Sequence, residues 1–177
     1  SNPSHNFFFD QTISMNASQR FQLFGLLGLA VVMLFPGLDA AKLIDWDENI
    51  YAEASRQMVL RDDYLNIVIN GHPFAEKPPF FFWLQSLSYH LFGISEFSAR
   101  LPSATAGLLL TGWLYIVGQR TRSHRFGMLW GLIYLSAALP GIFARSGVID
   151  HTFNLFIALG TFLLFFYEKE CRQRGRS

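Results

Sequence analysis

The sequence has little cysteine and little charge for its length. Cys171 is the single cysteine among 177 residues, which excludes a disulfide within the chain. Charged residues make up 15% of the sequence, whereas they make up about 25% of a typical soluble domain. Hydrophobic residues make up 51%, and they are concentrated in long runs. These features exclude an ordinary soluble domain and predict a membrane protein.

Four apolar runs can cross a bilayer as helices, which takes about 20 residues each. They are residues 21–38, 99–118, 126–144 and 152–167. The first run is long and has no small-residue cleavage pattern, so we interpret it as a retained span and not as a secretory signal. Met15 is a candidate native start, and we set the residues before it aside. The predicted fold is all-α, a polytopic membrane protein with about four transmembrane helices.

The segment between the first two spans, residues 39–98, carries most of the acidic residues. We predict a helix with Asp45 as its N-cap and Glu48 completing a capping box, ending near Arg61. An extended stretch should follow over residues 64–69, and Asn70-Gly71 should form a turn.

A second helix is predicted in the same segment. Pro78-Pro79 can open a helix, because proline is tolerated in a first turn, and the apolar run over 80–92 should be helical. This run is too short to span a bilayer, so we predict that it lies in the membrane interface. Its aromatic residues 80–83 are expected to anchor it there.

Basic residues predict the orientation of the chain. Arg20, the arginines of the 119–125 loop and those of the tail share one side if the chain crosses four times. The positive-inside rule makes that side cytoplasmic. Both termini are then cytoplasmic, and residues 39–98 and the 145–151 loop face outward, into the periplasm. The predicted organisation is an N-terminal tail over 1–20, a transmembrane module over 21–167 and a basic cytoplasmic tail over 168–177.

Both predicted outer segments contain an acid with a base nearby. Asp47 and Tyr51 are four residues apart and therefore share one helix face. Asp150 follows Arg145 by five residues in the second outer loop. A charged side chain at the bilayer centre costs about 2.5–3.5 kcal/mol on insertion scales. At the membrane rim, Asp47 and Asp150 avoid most of that cost and lie at the depth of a lipid headgroup.

Three motifs follow one another in the chain. They are D-W-D-E-N-I-Y-A-E-A from Asp45, N-G-H-P-F-A-E-K-P-P-F-F-F-W-L from Asn70, and L-F-G-I-S-E-F-S-A-R-L-P-S from Leu91, followed by an Asp in the next outer loop. In combination they resemble the N-terminal part of bacterial GT-C membrane glycosyltransferases. The resemblance is to the group of aminoarabinose (lipid A) transferases and protein mannosyltransferases, and it covers most of residues 45–167.

The resemblance implies sugar transfer from a polyprenyl-phosphate-linked donor to a lipid or protein acceptor, at the outer face of the inner membrane. By match to the family motifs, Asp47 is the candidate catalytic acid or base and Asp150 the acid of the second loop. Tyr51 matches the tyrosine of the first motif, and Glu76 and Lys77 match the pair that lines the donor site.

One position departs from the family pattern. The family often has an arginine directly before the motif tyrosine, where this sequence has Ile50. If that arginine helps to hold a phosphate, the donor contact here must come from elsewhere, and Arg56, Lys77 and Arg145 are the candidates.

The chemistry leaves several roles open. A leaving polyprenyl phosphate needs positive charge, which Lys77 or Arg145 can supply. A hydroxyl acceptor must lose a proton, and a carboxylate base such as Asp47 typically contributes about 10²–10⁴-fold in rate. A phosphate acceptor needs no base, and Asp47 would then position the acceptor or a cation. A divalent cation is a possible cofactor, held by oxygen ligands; the candidates are Asp47, Glu48, Glu76 and Asp150.

The alternative to an enzyme is a non-catalytic lipid-binding or assembly subunit of a membrane complex. Family members are much longer than this chain, so the chain is interpreted as an N-terminal fragment that is not active alone. The length of the native reading frame discriminates between the two hypotheses. A transporter is less favoured, because the carboxylates lie at the rim and not inside the spans. The terminal basic cluster is interpreted as a topology signal, and no nucleic-acid partner is predicted.

Overall fold

The computed structural model describes residues 15–43, 46–74 and 76–174. In these residues it contains seven helices and one short hairpin. The helices are α1 (Ala17–Leu34), α2 (Asp47–Arg61), α3 (Phe80–Phe92), α4 (Glu96–Thr121), α5 (His124–Ser136), α6 (Ala138–Ala144) and α7 (Ile149–Arg174). Strands β1 (Val68–Ile69) and β2 (His72–Pro73) form the hairpin. The predicted all-α fold is confirmed.

Three of these helices, α1, α4 and α7, are long and apolar enough to cross a membrane. Helices α5 and α6 make a fourth span only if the two count as one, and they are bent by 70° at Ala137. The span predicted over 126–144 is therefore not one straight helix. Pro140 explains the break, since proline lacks an N–H and its ring would clash with the carbonyl of Ser136 in a continuous helix. In the structure Pro140 lies in the first turn of α6.

Helix α1 begins and ends four residues before the predicted span, because its end signals were missed. Asn16 is its N-cap: the Gln19 backbone N–H donates to Asn16 Oδ1 at 2.8 Å. The Asn16 N–H donates in turn to Gln19 Oε1 at 3.1 Å, which completes a capping box. At the other end the helix stops before Pro36, and Gly37 adopts a left-handed φ of 73°.

Helix α4 lies at the centre of the membrane part and packs against α1, α3, α5 and α7. It approaches α5 very closely at Gly127, where a Cβ atom would lie 2.4 Å from the Tyr115 carbonyl oxygen. Buried side chains of α1, among them Leu26 and Ala30, share a core with Tyr115. Helix α4 therefore connects the other spans into one bundle.

The basic segments of the chain meet at one end of this bundle. The Tyr115 hydroxyl is hydrogen-bonded to His124 Nδ1 at 2.7 Å, and His124 Nε2 is also hydrogen-bonded to Gln22 of α1. The Arg120 guanidinium lies over the Phe166 ring of α7, 5.6 Å from its centroid. The start of α1, the end of α4, the start of α5 and the later part of α7 are thus neighbours.

Helices α2 and α3 pack together at the opposite end and form an outer module. Their shared core contains Tyr51, Met58, Phe81 and Phe82. The predicted end of α2 near Arg61 is confirmed, and Asp62 closes the helix in a left-handed conformation. The predicted N-cap, Asp45, lies outside the described residues. In the structure Trp46 is in the cap position and makes no side-chain cap bond.

The second half of the outer module follows the prediction in part. The stretch predicted to be extended over 64–69 forms a bend at 64–66, and its strand is limited to β1. Asn70 and Gly71 both have positive φ, 52° and 82°, and join β1 to β2 as a two-residue turn. Helix α3 covers residues 80–92 and ends at Gly93, as predicted. The aromatic anchor was wrong in part, because Phe81 and Phe82 are fully buried in the protein.

Helix α7 begins earlier and ends later than the span predicted over 152–167. It starts at Ile149 and continues to Arg174, so the basic tail is helical over most of its length. Asp150 therefore lies in the first turn of a helix and not in a loop. A carboxylate in this position is stabilised by the positive end of the helix dipole.

Candidate active site

Tyr51 lies at the centre of the acidic residues of the outer module. Its ring is 2% exposed and packs edge-on against Phe81 and Phe82, with centroids 6.1 and 5.6 Å away. Burial, and then the negative charges of Asp47 and Asp150, raise the pKa of the Tyr51 phenol to about 12. Tyr51 thus stays protonated at neutral pH and can donate a hydrogen bond.

Three predicted site residues come together around this phenol. Asp47 lies one turn before Tyr51 on α2, and Asp150 and Glu76 are close enough to act on the Tyr51 pKa as negative charges. The carboxylates of Asp47, Asp150 and Glu76 are exposed. Asp47 and Asp150, which are far apart in the sequence, thus both lie near the Tyr51 phenol.

Glu76 and Lys77 line an open groove of about 730 Å³ beside the hairpin. Its other walls are formed by Leu65, Asn66, Ile67, Val68, Pro73, Phe74, Pro78 and Pro79. Among the residues that the structure describes, no ion-pair partner is found for the Lys77 ammonium. The groove thus combines an apolar wall with a lysine, which suits a ligand that has an anionic and an apolar part.

The two predicted arginines are directed elsewhere. Arg56 forms an ion pair with Glu53 on its own helix, with Nε 2.7 Å from Oε2. It lies five residues after Tyr51, about 140° around the helix, so it does not face the acidic residues. Arg145 is exposed and donates to the Pro36 carbonyl oxygen at 2.8 Å, joining the second outer loop to the end of α1.

Glu48 is buried and does not face the groove. Its Oε1 accepts from Arg100 Nε at 2.7 Å and from the Gly147 backbone N–H at 2.6 Å. Its Oε2 accepts from Arg100 Nη2 at 3.2 Å. A buried carboxylate with these partners holds an arginine and a backbone N–H in place. We therefore assign Glu48 a structural role next to Asp47.

Arg100 is a residue that the sequence analysis missed, since it counted only as one position of the apolar run over 99–118. It is 4% exposed. A signal was present in the sequence, because a charged side chain inside an apolar segment needs a partner, and the Asp47-Glu48 pair offered one. The sequence did not show that Glu48, which is 52 positions away, is that partner.

The acidic residues do not form a recognisable metal site. In the described part of the chain no group of three or more His, Cys, Asp or Glu side chains is arranged to hold a metal ion. The possible divalent cation therefore has no assigned set of ligands. What the arrangement offers is a protonated phenol, exposed carboxylates and a lysine that borders an open groove.

The fold is that of the transmembrane part of GT-C glycosyltransferases. A family model described as dolichyl-phosphate-mannose-protein mannosyltransferase matches residues 76–175, more than half of the chain. The chain belongs to this family.

Curated relatives have a more specific description. The undecaprenyl phosphate-alpha-4-amino-4-deoxy-L-arabinose arabinosyl transferase of Aeromonas salmonicida (strain A449) is 37% identical over 142 residues, which is 77% of this chain and 26% of the relative. The enzyme with the same description from Yersinia enterocolitica is 33% identical over 134 residues, 74% of this chain and 24% of the relative. The chain thus spans about a quarter of the length of these relatives.

Solved structures agree with the relatives. The crystal structure of ArnT from Cupriavidus metallidurans bound to undecaprenyl phosphate matches with a TM-score of 0.73 and 32% identity. The match covers 81% of this chain and 26% of that one. The apo structure of the same protein matches with a TM-score of 0.74. These similarities confirm the resemblance on which the sequence analysis relied.

Proposed function

We propose that this chain is the N-terminal part of an inner-membrane enzyme that transfers a sugar from a polyprenyl-phosphate donor to a lipid acceptor, with lipid A as the first candidate. The observation that carries the proposal is the convergence of Asp47, Tyr51, Asp150 and Glu76 beside a groove with a lysine. The descriptions of the relatives and the undecaprenyl phosphate in the similar crystal structure support it.

The proposed division of roles follows from charge. The leaving group is an anionic polyprenyl phosphate, and the Lys77 ammonium stabilises its developing charge. Asp47 is exposed and lies next to the Tyr51 phenol, which donates a hydrogen bond to a nearby oxygen. With a hydroxyl acceptor Asp47 takes the proton, and with a phosphate acceptor it orients the acceptor. Asp150, in the first turn of α7, supplies the second carboxylate near the Tyr51 phenol.

We also propose that the site faces the periplasm and that both termini are cytoplasmic. Contacts between α1, α4, α5 and α7 gather the segments that carry Arg20, Arg120 and Arg122 at one end of the bundle. The outer module lies at the other end. This separation supports the orientation that the positive-inside rule predicts.

The test is Asp47→Asn in the intact enzyme, purified in detergent and assayed with a radiolabelled polyprenyl-phosphate sugar and lipid A. Asp62→Asn is the matched control, because it makes the same change at the far end of α2, and asparagine tolerates its left-handed conformation. We expect Asp47→Asn to reduce kcat by about 100-fold or more and Asp62→Asn to leave kcat unchanged.

Unchanged transfer by the Asp47→Asn enzyme would refute the catalytic proposal. If polyprenyl phosphate still bound and the Lys77→Ala variant weakened that binding, a non-catalytic lipid-binding subunit would be favoured. A protein acceptor is tested in the same assay, by replacing lipid A with a membrane protein fraction.

A further inference from the structure

The Gly147 peptide is held from both sides at the junction of the two outer segments. Its N–H donates to Glu48 Oε1 of α2 at 2.6 Å. Its carbonyl oxygen accepts a longer bond, 3.4 Å, from Gln85 Nε2 of α3. Gln85 Nε2 also donates to the Ala99 carbonyl oxygen of α4 at 2.9 Å. The backbone of Gly147 thus connects α2, α3 and α4 to the loop that leads to Asp150.

The groups that hold Gly147 are themselves fixed. Arg100 uses all five of its N–H groups: Nε and one Nη2 hydrogen bind Glu48, and the others donate to the carbonyl oxygens of Leu38, Ala41 and Lys42 at 2.6, 2.7 and 3.0 Å. A buried guanidinium with every donor satisfied has one preferred geometry, because any rotation breaks several bonds. Glu48 is therefore held at a fixed place.

Gln85 is anchored in the same way. It is fully buried, and its Oε1 accepts from the Ser55 hydroxyl of α2 at 2.8 Å. The residue after Gly147 is also tethered, since the Ser103 hydroxyl of α4 donates to the Val148 carbonyl oxygen at 2.9 Å. Gly147 and Val148, which directly precede the start of α7, therefore cannot shift without breaking these bonds.

Space around position 147 is tight for any side chain. Its φ is not among the positive values, which belong to Gly37, Gly71 and Gly93 among the described glycines. A Cβ at Gly147 would lie 3.2 Å from the Ala99 carbonyl oxygen and 3.3 Å from Glu48 Cγ. These contacts are tighter than ordinary van der Waals separations, so a side chain here would push the loop away from α2 and α4.

We propose that the Gly147 backbone, held by its hydrogen bonds with Glu48 and Gln85, is a positioning element. It sets the position of Asp150 relative to Asp47 and Tyr51. This inference rests on the proposed function, because it explains what fixes the distance between the Asp47 and Asp150 carboxylates of the proposed site. Glu48, Gln85 and Arg100 are positioning residues in this proposal and touch no substrate.

The test uses the intact enzyme and compares Gly147→Ala with Gly160→Ala. A Cβ at Gly160 would meet nothing within 4 Å, so this variant makes the same chemical change in open space. We expect Gly147→Ala to lower kcat by about 10- to 100-fold, because small misplacements of catalytic groups have effects of this size. The KM for the donor should stay the same, since Lys77 and its groove are not disturbed. Gly160→Ala should leave both constants unchanged.

A double-mutant cycle separates positioning from general damage. In the Asp150→Asn background, Gly147→Ala should cause little further loss, because the group that it displaces is already disabled. If Gly147→Ala yields no folded enzyme, Ser103→Ala replaces it in the same cycle, because it removes only the hydroxyl that holds the Val148 carbonyl.

The outcomes are distinct. The positioning proposal alone is overturned if Gly147→Ala reduces kcat by the same factor in the Asp150 and Asp150→Asn backgrounds. It is also overturned if the Gly147→Ala enzyme is as active as the Gly160→Ala enzyme. Unchanged transfer by Asp47→Asn refutes the proposed function itself. A loss that disappears in the Asp150→Asn background, with the donor KM unchanged, supports both.

Discussion

Arg100 and Glu48 form a buried bidentate ion pair that joins the outer module to the central membrane helix. Nε lies 2.7 Å from Oε1, Nη2 lies 3.2 Å from Oε2, and the two side chains are 5% and 2% exposed. Arg100 also donates hydrogen bonds to three backbone carbonyl oxygens in the segment after α1. The pair is therefore the point at which α1, α2, α4 and the second outer loop are fixed relative to one another.

Removal of this arginine should destabilise the protein strongly. Loss of one partner from a buried ion pair typically costs about 3–5 kcal/mol, because the other charge is left buried and unpaired. Arg100→Met should therefore lower the thermal unfolding midpoint in detergent by many degrees. Arg172→Met is the control, because Arg172 pairs with Glu168 at a surface where both side chains are more than 60% exposed. Exposed pairs contribute about 0–1 kcal/mol. Equal shifts in the two variants would contradict the structural role of Arg100.

Lys77 should control affinity for the phosphate of the donor. Lys77→Ala removes the cation that borders the groove, so polyprenyl phosphate should bind about 10-fold or more weakly, a loss of about 1.4 kcal/mol. Lys77→Arg should retain part of the affinity, because the charge remains. Binding is measured by titration of the purified protein with a short-chain polyprenyl phosphate. Lys42→Ala is the matched control: Lys42 is exposed on the same outer segment, and its backbone oxygen, which accepts from Arg100, remains in the variant. An equal effect at both lysines would indicate a non-specific electrostatic contribution.

The raised pKa of Tyr51 predicts a particular loss of stability in alkali. The folded-state pKa of about 12 exceeds the ordinary value of 10.0, so the folded protein holds this proton more tightly than the unfolded chain does. This contribution is fully present below pH 10 and is lost as the pH rises towards 12. A Tyr51→Phe variant has no phenol to titrate at this position, and its unfolding midpoint should fall less than that of the parent between pH 10 and 12. Parallel curves for the two proteins would show that Tyr51 is not held in the described environment.

The orientation of the bundle can be tested with cysteines. Cys171 is exposed at the basic end, and His72 is exposed on the hairpin at the opposite end. In intact spheroplasts, a membrane-impermeant maleimide should label His72→Cys in a Cys171→Ser background. The parent Cys171 should react only after the membrane is permeabilised. Labelling in the reverse order would invert the proposed topology and place the acidic residues in the cytoplasm.

Sequence patterns were most informative where local chemistry determines the structure. Proline before Phe80 and glycine at position 93 limit α3, and Asn70-Gly71 supplies the two positive φ values of the hairpin turn. These features depend on a few adjacent residues. The same local rules, applied to Asn16 and to Pro140, would have found the true start of α1 and the break between α5 and α6. Both errors arose because apolar run length was given more weight than helix ends.

The sequence by itself determined that the protein is helical and membrane-embedded, which motifs lie between its apolar runs and which family it resembles. Apolar runs, turn residues and motif letters are properties of neighbouring positions, and they can be read without a fold. Only the tertiary structure decided that Glu48 pairs with Arg100, that Phe81 and Phe82 are core residues, and that Asp150 faces Tyr51. These contacts join residues that are far apart in sequence, so they depend on how the helices pack, and buried polar groups such as Glu48 and Arg100 then pair with each other.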